Sequence, residues 1–174
     1  MPWHAQTRSS PATERVDLWC AFHDQVIDEQ LIAAYRQLLS NPERAQEVRF
    51  YFARDRHRYL VTRALVRSVL ARYFEVAPED WRFTTNSYGR PEIADETVRS
   101  SGLTFNLSHS GQLIVLAVAH QRQLGVDTED FASRAASIDI AERFFSPAEV
   151  AALRKQSSDA QQQRFFEYWT LKES

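Results

Sequence analysis

Asp127 and Glu129 stand two residues apart in Leu124-Gly125-Val126-Asp127-Thr128-Glu129-Asp130, after an apolar run from Leu113 to Ala119 and a turn at Gln121-Arg122-Gln123. Side chains two residues apart on a strand share a face, so both carboxylates are expected to point the same way. Like charges so placed repel unless a cation sits between them. A third acid comes from the last segment, where Phe165, Trp169 and Glu173 are spaced i, i+4, i+8. That spacing sets Glu173 on the aromatic, core-facing side of a helix. An inward carboxylate needs a partner, because burying it unpaired is costly. Three converging acids suit a hard divalent cation, which takes oxygen ligands. Two polar stretches could supply the complementary anion site. Ser108-His109-Ser110-Gly111 at a strand exit offers short polar groups and backbone N–H donors. In Gly89-Arg90-Pro91, glycine allows a bend, proline fixes it and Arg90 is carried on a rigid loop. Each stretch also has a plain reading: a polar turn, a solvated arginine, a wet edge strand, or a helix-end acid paired with Arg164.

The bulk properties bound what these residues can serve. A chain of 174 residues can build one good core or two small subdomains. A hydrophobic fraction of 44% and an aromatic fraction of 12% indicate a packed protein rather than a disordered one. No apolar run approaches the ~20 residues of a membrane span, and Met1 to Ser10 lacks a signal peptide's apolar centre. The single cysteine, Cys20, excludes an internal disulfide and a thiolate-clustered metal site. These features predict a cytoplasmic protein without a membrane role. A net charge of −2 argues against general nucleic-acid binding. Charge is nevertheless uneven. Between Pro42 and Arg72, eight arginines (Arg44, Arg49, Arg54, Arg56, Arg58, Arg63, Arg67 and Arg72) face Glu43, Glu47 and Asp55. Apart from Lys155 and Lys172, every basic residue is arginine, which suits bidentate phosphate contacts.

The elements that must position these groups follow from periodicity. Residues 1–15 have no clear period. Val16 to Phe22 alternates as a strand, and Asp28 to Leu39 forms an amphipathic helix stopped by Ser40-Asn41-Pro42. A long helical pattern runs from Glu43 to Phe74, with a break near Ala53 to Asp55. Its inner face is Leu60, Val61, Ala64, Leu65, Val69 and Tyr73, leaving Arg56, Arg63 and Arg67 on the other side. Pro78-Glu79-Asp80 lies in a turn, Trp81 to Phe83 opens a strand, and the loop Asn86 to Pro91 returns into another. Leu103 to Leu107 and the apolar segment Leu113 to Ala119 are strands, the latter central. The carboxylate segment is expected to be the next strand. Arg134 to Arg154 and Asp159 to Ser174 are helical, with Ser146 as N-cap, Pro147 at N1 and Glu149 at N3. Arg49 to Asp55 is weakly echoed by Arg143 to Glu149, each leading into a helix, which points to two related halves. The last helix stops at Ser174 in mid-pattern, without a glycine cap or proline stop, and this reading expects the chain to be truncated there.

Taken in order, Asn106-Leu107-Ser108-His109-Ser110-Gly111, Gly125-Val126-Asp127-Thr128-Glu129, Phe145-Ser146-Pro147-Ala148-Glu149 and Trp169-Thr170-Leu171-Lys172-Glu173-Ser174 resemble the 4'-phosphopantetheinyl transferases of the larger, surfactin-synthetase type. Arg54-Asp55-Arg56-His57-Arg58 and Tyr88-Gly89-Arg90-Pro91 fit the same pattern, which covers Phe50 to Ser174. The resemblance implies an α+β fold of two pseudo-repeated subdomains, 1–120 and 121–174, the second incomplete. It implies Mg²⁺-dependent transfer of the phosphopantetheine arm of coenzyme A to a serine of an acyl, peptidyl or aryl carrier protein, releasing adenosine 3',5'-bisphosphate. By the family pattern Asp127, Glu129 and Glu173 are the metal-binding and catalytic acids, with Glu173 the candidate acceptor of the serine proton. Ser108, His109 and Arg90 correspond to coenzyme A contacts, His109 to the 3'-phosphate. Basic residues common in the family are absent where Glu43 and Gln46 stand, and Arg44, Arg49 or Arg58 are expected to substitute. The family motif continues past Lys-Glu-Ser to a further lysine and several strands, so the chain ending at Ser174 is expected to bind coenzyme A weakly or be inactive. The family expectation is a monomer. Two alternatives stay open at this point: a non-catalytic homologue that binds nucleotide or carrier protein, and a metal-dependent phosphohydrolase or nuclease.

Overall fold

A computed structural model describes residues 15–131 and 138–174. The fold is mixed α/β. The alternating segment Val16–Phe22 forms β1 and leads through a short 3-10 turn into α1 (Glu29–Leu38), α2 (Asn41–Arg49) and α3 (Ala53–Leu70). Then come the short strands β2 (Phe83–Thr85) and β3 (Pro91–Ile93), helix α4 (Glu96–Ser100) and the long strands β4 (Leu103–Ser110) and β5 (Leu113–His120). Three helices close the chain: α5 (Ile138–Phe144), α6 (Pro147–Arg154) and α7 (Ser158–Glu173). The β1, β5 and β4 strands form an antiparallel sheet in the order β1-β5-β4, with the apolar β5 at its centre as its composition requires. Among the described residues, one edge of β4 therefore has no strand partner in that sheet.

The long helical pattern from Glu43 to Phe74 is in fact two helices. The chain breaks at residues 50–52, between α2 and α3, and Arg56 donates to the Phe50 carbonyl at 3.1 Å to hold the bend. Helix α2 begins with a capping box in which the Ser40 backbone N–H donates to Glu43 Oε2 at 2.8 Å. The expectation that Arg63 and Arg67 face solvent is overturned. Arg67 is 1% exposed, and both guanidiniums turn onto Glu43, itself buried. Charge placement here follows a buried carboxylate rather than the hydrophobic period, which is why periodicity misplaces them.

Apolar burial divides between two clusters. The first joins Val66, Val69 and Leu70 of α3 to Trp81, Ile93, Val98, Phe105, Leu116 and Val118. The second is aromatic and gathers Ala141, Phe145, Val150, Leu153, Phe165 and Phe166 from the last three helices. Phe165 stacks on Trp169 at 5.7 Å, as their i, i+4 spacing foretells. That stripe ends before Glu173, which is exposed. The inward-facing Glu173 read from the spacing is thus corrected: its side chain is exposed. The start of the expected helix at Arg134 lies outside the described residues. Among the described residues no helix is long and apolar enough to cross a membrane.

Candidate functional site

The site grows from the free edge of β4. In a strand every second side chain shares a face, and on β4 one face reads Thr104, Asn106, Ser108, Ser110. Each of the four meets the segment that follows β5. Thr104 Oγ1 donates to the Arg122 carbonyl at 2.9 Å. The Val126 backbone N–H donates to Asn106 Oδ1 at 3.0 Å, that of Thr128 to Ser108 Oγ at 3.2 Å, and that of Asp130 to Ser110 Oγ at 2.9 Å. The expected carboxylate strand is therefore no strand of the sheet. Residues 124–130 run beside β4 with side-chain oxygens standing in for strand carbonyls, so no backbone ladder forms. Strand β4 also runs further than expected, pairing with β5 as far as Ser110. The Ser108-His109-Ser110 stretch is strand rather than a loop of free N–H groups.

This ladder aims the acids. Ser108 Oγ donates to Asp127 Oδ1 at 2.9 Å while accepting from Thr128, and Ser110 Oγ donates to Glu129 Oε2 at 3.3 Å. A serine hydroxyl can donate once and accept as well, which is why serine suits both positions. Asp127 Oδ2 is buried and has no hydrogen-bond partner. A buried carboxylate oxygen left so is an anionic acceptor awaiting a cation.

The end of α7 comes to the same place. A Cβ built on Gly125 would overlap the backbone of Ser174, so the absence of a side chain there lets the last turn of α7 rest against the start of the acid segment. Ser174 thus lies against Gly125, and Glu173, the residue before it, is exposed. Among the described residues no group of three His, Cys, Asp or Glu side chains lies close enough to hold a metal by itself.

Arg90 is set by its loop. Asn86 Oδ1 accepts from the N–H groups of Tyr88 and Arg90, both at 3.0 Å, and Gly89 takes φ +80, a conformation that favours glycine. The Arg90 guanidinium then donates to the carbonyls of Phe105, at 3.1 Å, and Leu124, at 2.5 Å, clamping the acid segment to the edge of β4. It also lines a cleft of about 500 Å³ with Tyr88, Pro91, Phe105 and Leu124.

On the α3 side of β4 a second cavity, of about 460 Å³, is lined by Phe50, Asp55, Arg58, Tyr59, Thr62, Arg63, Leu107, Ser108 and His109. Ser108 is thus shared between the acids and this cavity. Of the arginines proposed from sequence to contact a ligand, Arg58 lines the cavity, ion-paired with Asp55 at 3.2 Å. Arg44 and Arg49 are not among the lining residues. Arg44 donates to the Leu39 carbonyl at 3.0 Å, satisfying the end of α1, and Arg49 reaches Gln46 at 3.5 Å. Arg63 and the tilted ring pair Phe50–Tyr59, 5.2 Å apart, were not singled out as site residues from sequence. The arginine cluster between Pro42 and Arg72 and the i, i+4 spacing of Tyr59 and Arg63 were the signals available for two of them.

Two protein-family patterns match the chain: "4'-phosphopantetheinyl transferase, N-terminal" over residues 25–121 and "4'-phosphopantetheinyl transferase superfamily" over residues 123–174. Among curated relatives, 4'-phosphopantetheinyl transferase HetI of Nostoc is 38% identical, over 93% of this chain and 67% of its own length. 4'-Phosphopantetheinyl transferase Sfp of Bacillus subtilis is 34% identical, over 88% and 65%. A putative 4'-phosphopantetheinyl transferase of Synechocystis is 33% identical, over 84% and 59%. The chain therefore spans about three fifths to two thirds of the length of these relatives.

Proposed function

The chain belongs to the 4'-phosphopantetheinyl transferase superfamily, and on that premise we propose that it carries the substrate-binding and acid-bearing part of an enzyme that moves the phosphopantetheine arm of coenzyme A onto a carrier-protein serine. The observation that carries the reading is Asp127, fixed through one oxygen by Ser108, with its other oxygen buried and unpaired, a residue away from a cavity that holds two arginines.

The donor set fits Mg²⁺ even without a three-residue cage. Magnesium is commonly held by one or two carboxylates, with substrate phosphates and water completing the shell. Asp127 and Glu129 would supply those carboxylates, and the ion would neutralise the coenzyme A diphosphate and fix its geometry. Arg58, Ser108 and His109 would hold the nucleotide phosphates from the cavity side. Arg90 would keep the acid segment in place and face the nucleotide from the neighbouring cleft.

In the transfer, the carrier serine Oγ forms a bond to the phosphorus that bears the pantetheine. The bond from that phosphorus to the bridging oxygen breaks, and adenosine 3',5'-bisphosphate leaves with the electron pair. The serine proton passes to a carboxylate, for which Glu173 is the candidate. The division into 1–120 and 121–174 is part of the same proposal, supported by the two separate apolar clusters. So are action as a monomer in the cytoplasm and the absence of a nucleic-acid partner.

The test is Mg²⁺ dependence. Protein expressed from the complete reading frame that encodes this chain is mixed with coenzyme A and an apo carrier protein, with Mg²⁺ or with a chelator. Covalent modification of the carrier only with Mg²⁺, absent in Asp127→Ala, is expected. Modification that persists in chelator or in Asp127→Ala would refute the assignment of the acids.

A further inference from the structure

His23 is buried where three parts of the chain meet. It opens the short 3-10 turn His23–Gln25 that follows β1. Its backbone N–H donates to the Gln112 carbonyl at 3.0 Å, and its carbonyl accepts from His57 Nε2 of α3 at 2.7 Å. The two imidazoles meet edge to face with 6.0 Å between centroids. Because a carbonyl only accepts, His23 Nε2, 3.4 Å from the Gly111 oxygen, carries the ring proton. Nδ1 is then a bare lone pair, buried and without a hydrogen-bond partner. The ring therefore fits its place uncharged. A second proton would set an N–H where nothing accepts it, which is costly.

Gly111 and Gln112 form the turn between β4 and β5, and the acid segment is tied to the same turn. Gly111 takes φ +56, and a Cβ built on it would lie 3.3 Å from Asp130 Oδ2. Ser110, the residue before it, accepts the Asp130 N–H and donates to Glu129. Burial, with His57 and Arg58 of α3 adding to it, holds the His23 pKa below the ordinary 6.5 against the opposing Gly111 carbonyl and Asp24. His57 donates from Nε2 whether or not its other nitrogen is protonated, so its contact is not the one that pH alters. The unfolded chain takes the His23 proton first. The contribution of the uncharged ring is thus full above about pH 6.5 and is lost as pH falls through the lower folded value.

We propose that His23 is a positioning residue for transfer: uncharged, it latches the β4–β5 turn to α3 and so steadies Glu129, and its protonation releases the turn. The consequence for activity rests on reading the acids as the metal-holding groups. The latch itself does not.

The test follows histidine ring signals by NMR and amide exchange at residues 110–113 and 129–130 between pH 8 and 5, using protein from the complete reading frame. The variants are His23→Gln, whose amide can still donate to Gly111 but takes no proton, and His23→Leu, which cannot donate. The signal missing from His23→Gln identifies His23. In the wild type it is expected to titrate below pH 6.5, with protection at both segments falling over the same range. The fall should be roughly tenfold for each unit by which the pKa is depressed. His23→Gln should not show that fall, and His23→Leu should be poorly protected already at pH 8. Carrier modification should follow the same three patterns, whereas a packing role alone would weaken both variants without changing the dependence on pH. A His23 that titrates at or above pH 6.5, or wild-type protection that stays constant across its titration, overturns the latch without recourse to either variant. If His23→Gln keeps the wild-type pH dependence of carrier modification, the role of His23 in transfer is refuted while the transfer reading stands. Exchange that behaves as expected in a protein that modifies no carrier would keep the latch and refute its role in transfer together with that reading.

Discussion

Ser108 uses one hydroxyl for two tasks, donating to Asp127 and accepting from Thr128, and that pairing sets the chemistry at the scale of single residues. Ser108→Ala leaves a carboxylate oxygen and a backbone N–H unmatched. It should cost about 1–3 kcal/mol of stability and slow transfer more than it weakens nucleotide binding, measurable by chemical denaturation beside steady-state kinetics. Glu43 gives a pH signature. Burial pushes its carboxyl up, but Arg63, the Ser40 N–H and Arg67 outweigh that and hold it below its ordinary value of 4.5. The folded state therefore binds this proton less readily than the unfolded chain does. Stability from Glu43 is full above about pH 4.5 and is lost as pH falls through the lower folded value. Melting temperatures followed downward from pH 6 should fall below that point, and Glu43→Gln should be less stable at neutral pH with a flatter acid limb. At this scale the acids were legible because two carboxylates on one face demand an explanation. Arg63 and Arg67 were not, since an arginine on a helix reads as solvated until the buried acid it serves comes from another helix.

At the scale of elements, β4 and the acid segment are joined through side chains rather than through a sheet ladder. Asn106-x-Ser108-x-Ser110 meets Val126-x-Thr128-x-Asp130 in step. The alternation is present in the sequence, but its sense was missed because a strand of small polar residues reads as a loop or a wet edge. The helices and the central strand were legible from their periods, and the α2–α3 break fell a few residues from where it was expected. Arg90 locks the same two elements by bridging the carbonyls of Phe105 and Leu124. Arg90→Met should destabilise the protein by about 2 kcal/mol and raise hydrogen exchange across 124–130 before any other segment. Gly125 is the contact between that segment and α7. Gly125→Val should displace the end of α7 and reduce transfer sharply, with nucleotide binding in the α3-side cavity retained. Equal loss of both would show that the two parts of the site are not separable.

Across the whole molecule, the arrangement is a cavity between α3 and β4 that holds two arginines, acids tied to Ser108 and Ser110 of the same strand, and the end of α7 against Gly125. On the proposed reading, that disposition would separate the tasks of phosphoryl transfer: the cavity would hold the nucleotide and the acids would hold the ion that neutralises the diphosphate. The ordered motifs made the family legible although each piece alone had an ordinary explanation. The motifs did not give the side-chain setting of every member: residues 124–130 are no strand, Ser108 to Ser110 continue β4, and Glu173 is exposed. The most direct measurement is the intact mass of an apo carrier protein after incubation with coenzyme A, Mg²⁺ and the protein from the complete reading frame, beside its Asp127→Asn variant. A gain of one phosphopantetheine with the unmutated protein and none with the variant is the predicted result. An unchanged carrier mass in both reactions, across acyl, peptidyl and aryl carriers, would contradict the transfer assigned to this site.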